Sequence, residues 1–252
     1  RLLIEDPTLS CAHDEETGQL ILSGMGELHL EVVLERVRRE YGLSPRAGKP
    51  QVVCHETVTR EGRGEAEFSR ELGGQAHHGR VALTVAPLAR GKGQQIFVPP
   101  MDPKLWPKAW LDAVAEGLED GLAAGALQGA PVQDVSVRVQ DLGRQDGVST
   151  AVGFRMAASQ ALKNALRDAG PALLEPIMFL EIGVPDAFVG DVVGLLGSKG
   201  AKIETLFDRA GQKVVQALTP LRRLFGFSTE LRSATQGRAG MVMKFSRFDL
   251  LE

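Results

Sequence analysis

Histidines, cysteines and a few arginines set among glycines have the most chemical reach in this chain. Of His13, His29, His55, His77 and His78 only the last two are adjacent. Neighbours in sequence seldom ligate one metal, and His29 and His55 read as a helix-surface and a strand residue. Cys11 and Cys54 are too few for a disulfide framework or a four-cysteine zinc site. No GxxxxGK[ST] loop cradles a phosphate, and neither GxSxG nor HExxH occurs. Gly91-Lys92-Gly93 and Gly197-Ser198-Lys199-Gly200 read as short turns. Carboxylates are frequent, but none is marked as half of a general acid/base pair. What stands out is a pair of glycine-bearing segments. One is Leu72-Gly73-Gly74-Gln75-Ala76-His77-His78-Gly79-Arg80, and the other runs from Gln140 to Thr150.

Composition bounds the protein that must position these residues. A length of 252 residues allows one to three domains, and 43% hydrophobic with 24% charged residues is ordinary for a folded soluble protein. The formal charge of −3 excludes a histone-like basic coat but not local basic patches. No apolar run reaches the roughly 18 residues that cross a bilayer, so no transmembrane segment is expected. The cysteine usage fits a reducing, cytoplasmic home. The first residues, Arg1-Leu2-Leu3-Ile4-Glu5-Asp6-Pro7, carry neither a Met nor a signal-peptide pattern. They read as the last turn of a helix entering a turn, and the chain is expected to be cut from a longer protein.

Periodicity then gives the elements. Thr8 to Ser23 reads as a hairpin turning at Asp14–Gly18. A helix from Met25 to Tyr41 places Leu30, Val33, Leu34, Val37 and Tyr41 on one face, with Glu27 in its first turn and Gly42 as its C-cap. A strand is expected to start after it. Pro45–Pro50 has the composition of a linker. Strands are expected at Gln51–Arg60, Gly64–Glu71, Val81–Pro87 and Val132–Val139. Helices are expected at Lys104–Ala124, with Pro107 in its first turn, and at Phe154–Ala169. Ala158, Ala161, Leu162 and Ala165 give the second helix a face small enough to lie close on a sheet. Trp106 and Trp110 read as core. The last 80 residues give strand (Ile177–Val184), helix (Pro185–Leu196), a hairpin (Ala201–Leu218), a helix starting at Leu221, and a strand (Gly240–Phe248). That order is ferredoxin-like. Residues 1–46 read as a truncated copy of it.

Several blocks resemble the elongation factor G family. Ile21-Leu22-Ser23-Gly24-Met25-Gly26-Glu27-Leu28-His29-Leu30-Glu31, preceded by Glu5-Asp6-Pro7-Thr8, is similar to its third-domain signature. Gly48-Lys49-Pro50-Gln51-Val52 and Leu174-Glu175-Pro176-Ile177-Met178 are similar to the starts of its fourth and fifth domains. The most specific block is Pro220-Leu221, Phe225-Gly226, and Leu231-Arg232-Ser233 followed by Thr235-Gln236-Gly237-Arg238. The resemblance implies an α+β chain. It would hold a truncated ferredoxin-like domain III (1–46), a ribosomal-protein-type βαβ domain IV (47–172) and a ferredoxin-like domain V (173–252).

The resemblance further implies a ribosome-binding arm that promotes GTP-dependent tRNA/mRNA translocation or ribosome recycling. Its domain IV tip would enter the decoding site as a tRNA mimic. No cofactor is expected in this chain. GTP and Mg would belong to GTPase and second domains upstream of Arg1, which would also be partners. The implied tip residues are Gly73, Gly74, Gln75, His77, His78, Gly79 and Arg80 in one loop, with Arg144, Gln145, Asp146, Gly147 and Ser149 in the other. The rRNA-facing residues of domain V would be Arg222, Arg223, Arg232, Gln236 and Arg238. Contacts of this kind rest on phosphates, sugars and shape.

Charge follows the same division. Residues 1–46 hold 5 basic and 9 acidic residues, 47–172 hold 14 of each, and 173–252 hold 10 and 9. Gln145 stands at the family's tip histidine, and His77-His78 and Arg80 stand where glutamine, an aromatic and histidine are more usual. These departures point to a specialised paralogue over the housekeeping factor. Two alternatives remain at this point: a tetracycline-resistance-type ribosomal protection protein, and a stand-alone enzyme using the His77-His78 loop.

Overall fold

The computed structural model describes residues 2–14, 18–48 and 50–250. Glu15, Glu16 and Thr17 of the expected first turn, and Lys49 of the expected linker, lie outside them. In chain order the elements are α1 (Leu2–Glu5), β1 (Ser10–His13), β2 (Leu20–Ser23), α2 (Glu27–Tyr41), β3 (His55–Val58), β4 (Gly62–Leu72), β5 (Gln75–Pro87), β6 (Gln94–Phe97), α3 (Lys108–Ala124), β7 (Val135–Gly143), α4 (Ala151–Asp168), β8 (Pro171–Val184), α5 (Val189–Ser198), β9 (Lys202–Arg209), β10 (Gln212–Pro220), α6 (Phe227–Ala234) and β11 (Gly240–Leu250). They form two compact units: Arg1–Val53 with Glu175–Arg247, and Cys54–Leu174 with Phe248–Glu252.

In the first unit, α1 turns at Asp6, whose N–H bonds Leu2 O, and β1 and β2 pair from Ser10↔Ser23 to His13↔Leu20. Gly42 ends α2 in the left-handed region at φ 65°, where a side chain is disfavoured. Of the apolar face expected on α2 only Val33 is buried; Tyr41 is exposed, and among the described residues no strand follows the helix directly. His29 is not a free surface residue. Its Nδ1 accepts the Met25 N–H at 3.1 Å, which leaves Nε2 to donate to Asp6 at 2.7 Å. Hydrogen bonds from the Thr8 hydroxyl and amide, and then from His29, hold the Asp6 carboxyl below its usual range.

The sheet order β11-β8-β10-β9 puts the last strand of the βαββαβ run beside the first, and the third between the first and second. This is the ferredoxin-like arrangement. Its core joins Leu180, Ile182 and Val184 of β8 to Val192 and Leu196 of α5, Val215 and Ala217 of β10, and Phe227 and Leu231 of α6. Asp186–Phe188 and Leu221–Arg223 are single 3-10 turns, so α6 begins at Phe227 rather than at Leu221.

The second unit is a four-stranded sheet, β4-β5-β7-β6, with β6 parallel to β7. Alternate residues Val81, Leu83 and Val85 of β5 and Val135, Val137 and Val139 of β7 are buried with Val114, Leu118 and Leu122 of α3 and Leu162 of α4. Pro107 stands just outside α3, in an extended conformation (φ −52°, ψ 137°). Trp106 and Trp110 pack on Phe154 with ring centroids 5.7 and 5.2 Å away, which makes them core. Ala158, Ala161 and Ala165 are buried as expected, but close packing also depends on the sheet side. Gly64 lies under α4 with no room for a Cβ: added there, it would overlap Ala161 O and Ala165 N.

Glu56 in β3 is buried and accepts four backbone N–H groups, from Ala126 (2.5 Å), Leu127 (2.9 Å), Gln128 (2.8 Å) and Ala130 (3.2 Å). Burial alone would raise its carboxyl. The four donors outweigh burial, and the group sits below its ordinary value of 4.5.

Gly64→Ala should therefore lower stability by about 3 kcal/mol in denaturant unfolding, because backbone cannot step aside as a side chain can. Glu56 supplies a stabilisation that is complete above the unfolded carboxyl value of 4.5 and is lost as pH falls through the lower folded value. Glu56→Gln should remove that acid-side slope from the pH profile of unfolding. A profile unchanged in Glu56→Gln would show that the carboxylate contributes nothing.

Candidate functional site

The two glycine-bearing segments lie at the same end of the second unit. β4 and β5 run on to Leu72 and Gln75, so the loop expected over 72–80 is only a two-residue turn, Gly73-Gly74. Both glycines take left-handed backbone (φ 61° and 80°), as a tight hairpin requires. Their position fixes the register by counting outward: Leu72↔Gln75, Ser69↔His78, Glu67↔Arg80. Likewise β7 extends to Gly143, which leaves Arg144–Thr150 as the second loop, and Leu142 is a buried strand residue.

His77 and His78, which the resemblance places in the tip loop, belong instead to the strand and are buried. They lie inside β5, 9% and 6% exposed. Their rings meet two consecutive hydroxyls of the other loop. His77 Nδ1 is 2.8 Å from Thr150 Oγ1, and His78 Nδ1 is 2.9 Å from Ser149 Oγ. The Thr150 N–H bonds His78 O at 3.2 Å, and His78 and Ser149 form a parallel bridge. Gly79 and Gly153 let the backbones cross: a Cβ on Gly79 would come 2.6 Å from Gly153 C. Thr150 also N-caps α4, accepting the Gly153 N–H at 3.1 Å.

The two arginines expected at the tip each pair with neighbours of the same unit, Arg80 half-buried and Arg144 exposed. Arg80 contacts Glu65 at 2.5 Å and Asp141 at 3.1 Å, and these carboxylates, Glu65 first, raise its already high pKa. Arg144 donates to Leu105 O at 3.1 Å and lies 3.4 Å from Asp146. Gly73, Gly74, Gln75, Gln145, Asp146 and Gly147 are exposed.

The serine, histidine and carboxylate at Ser149, His78 and Glu67 stand in the order that activates a nucleophile in hydrolases. Here the ring is buried and Ser149 Oγ also accepts the Gln145 N–H at 2.8 Å, so its oxygen is spent on holding the loop. Among the described residues no group of three or more His, Cys, Asp or Glu side chains is placed to hold a metal, and no helix is long and apolar enough to cross a membrane.

In the first unit Arg232, Gln236 and Arg238 are exposed around the end of α6. Gln236 has φ 51°, and the Arg238 guanidinium lies 5.7 Å from the Phe188 ring centroid. Arg222 and Arg223, the first exposed and the second half-buried, are both paired within the unit. Arg222 Nε is 2.7 Å from the buried Glu175, and Arg223 donates to Lys199 O at 3.4 Å.

Three family models match end to end: Elongation Factor G, domain III over 1–49, Elongation factor G, domain IV over 50–170, and Elongation factor G C-terminus over 172–252. The chain belongs to the elongation factor G family. It is 45% identical over 249 residues to Elongation factor G 2 of Geobacter metallireducens, covering 99% of this chain and 36% of that protein. It is 41% identical to Elongation factor G of Aquifex pyrophilus, covering 98% and 35%. A crystal structure of a Thermus thermophilus protein superposes with TM-score 0.85 at 30% identity, covering 99% of this chain and 37% of that one. The chain thus spans about a third of the length of these relatives, and the α+β class read from the sequence is that of elongation factor G domains.

Glu67 and Thr150 escaped the sequence reading. Thr150 before an apolar-periodic run is an N-cap signal. Glu67 is diagonal to His78 once the glycine turn sets the register. Thr150→Ala should cost about 2 kcal/mol, more than an ordinary cap because His77 loses its partner too. Thr150→Ser should retain most of that stability. Equal losses for both variants in denaturant melts would show that the hydroxyl is irrelevant.

Proposed function

We propose that this chain is the ribosome-facing arm of an elongation factor G-like translational GTPase. Residues 1–46 belong to domain III, 47–172 to domain IV and 173–252 to domain V. GTP and Mg bind in the parent protein outside these residues, and its GTPase and second domains are the arm's protein partners. The domain IV tip, Gly73–Gln75 with Arg144–Ser149, enters the decoding site and meets the tRNA–mRNA there. Arg232, Gln236 and Arg238 face large-subunit rRNA, with Arg222 and Arg223, each already paired to a neighbour within domain V, beside them.

One observation carries the reading: the two tip segments, about 70 residues apart in sequence, converge on one end of the second unit through His78 and Ser149. A surface assembled from two remote loops has a defined contour, and contour is what an arm of this kind presents to folded RNA. Arg80 and Arg144 are neutralised by neighbouring acids, so the tip reads shape more than charge. Gln145 cannot become cationic as a histidine can, which favours a specialised paralogue that acts in ribosome recycling or stress.

Two measurements test this. With few free phosphate contacts, binding of the chain to ribosomes should weaken by only about tenfold between roughly 50 and 200 mM salt. In the full-length protein, Arg144→Ala with Gln145→Ala should slow movement after GTP hydrolysis by about tenfold or more and change GTP turnover by less than about twofold. Equal losses in both steps, or nucleotide binding by this chain alone, would overturn the proposal.

A further inference from the structure

We propose that His78 is a positioning residue, locked in one tautomer by Glu67, which shapes the exposed Arg144–Ser149 loop through Ser149. The inference rests on the reading of that loop as a ribosome-facing tip.

The argument is one of donors and acceptors. The Glu67 carboxylate only accepts, and it lies 3.1 Å from His78 Nε2, so Nε2 carries the proton. In the neutral ring Nδ1 then holds a lone pair. At 2.9 Å it must accept the Ser149 hydroxyl proton. Ser149 Oγ, its proton committed, accepts the Gln145 N–H at 2.8 Å, while the Ser149 N–H returns to Gln145 O at 2.9 Å. Every donor from Gln145 to Glu67 has one acceptor. The opposite tautomer would set the Nε2 lone pair against the Glu67 carboxylate and turn the serine proton away from the ring.

Burial gives this chain of bonds its force. The His78 side chain is 8% exposed, so water cannot readily replace either ring partner. His77 fastens the next residue, Thr150, from the adjoining position of the same strand. Successive strand side chains point to opposite faces, so the end of the loop is gripped on both faces of β5. Glu67 is 58% exposed, and its role is to select the tautomer rather than to supply a buried charge.

The experiment uses the whole chain, labelled with 15N. Long-range proton–nitrogen correlations at neutral pH should show His78 as the Nε2–H tautomer. Amide exchange at Gln145 should accelerate about tenfold or more in His78→Phe, which keeps the ring volume but has neither polar atom. His78→Gln offers a donor to Glu67 and an acceptor to Ser149, and should stay within about threefold of the unsubstituted chain. Ser149→Ala leaves β5 untouched and should match His78→Phe, with no further gain in the double variant if both act on one path. An Nδ1–H tautomer, or Gln145 exchange unchanged in His78→Phe, overturns the inference. Ribosome binding by the same variants separates the two readings. Faster exchange with unaltered ribosome binding upholds the lock and counts against the tip's role, whereas weaker binding in His78→Phe that His78→Gln restores supports both.

Discussion

The near-contact of α4 with the β4–β5 ribbon governs the second unit. Gly64 under the middle of the helix and the Gly79–Gly153 crossing at its start allow backbone to lie on backbone. Side chains of any size would lift the helix away from the sheet. Held down, α4 starts at Thr150, directly beside the β5 histidines, and the hydroxyls of Ser149 and Thr150 come within hydrogen-bond reach of His78 and His77. The placing of Ser149 and Thr150 beside the histidines is therefore a consequence of packing along the second unit as well as of the glycine turn.

Much of this is legible in the sequence, for identifiable reasons. Strong periodicity locates α2, α4, the strands β4, β5 and β7 and the ferredoxin-like order of the last 80 residues, whereas the short edge strand β6 (Gln94–Phe97) follows a glycine turn and goes unread. Small residues on α4 announce close packing. The misreadings come from taking glycine and polar content as a sign of loop. Gln75-Ala76-His77-His78-Gly79-Arg80 looks irregular by composition, yet two turn glycines suffice to reverse the chain and the remainder pairs as strand. His29 reads as solvent-facing because its partners, Asp6 and the Met25 N–H, are tertiary and capping contacts that helical spacing does not reveal. Glu56 and Glu67 are invisible for the same reason: each is defined by what converges on it.

Charge tells a different story in three dimensions from the one told by counting. The stretch 47–172 is neutral by composition, which could conceal a basic tip balanced by acid elsewhere. Instead the balance is local, with Arg80 set between Glu65 and Asp141 and Arg144 beside Asp146. In the first unit the pairing is uneven. Arg222 is bound to a buried carboxylate, whereas Arg238 has an aromatic face beneath it and its charge outward. Arginine held over a ring stays rigid and available to an acceptor.

The Glu56 carboxylate carries one more consequence. Converging main-chain amides such as those of Ala126, Leu127, Gln128 and Ala130 form the kind of nest in which proteins capture phosphate. Here the anion is covalently part of the fold and cannot be exchanged for one from solution. The 126–130 turn is thereby closed to a nucleic-acid backbone, and a polyanion passing along this unit finds no competing foothold there.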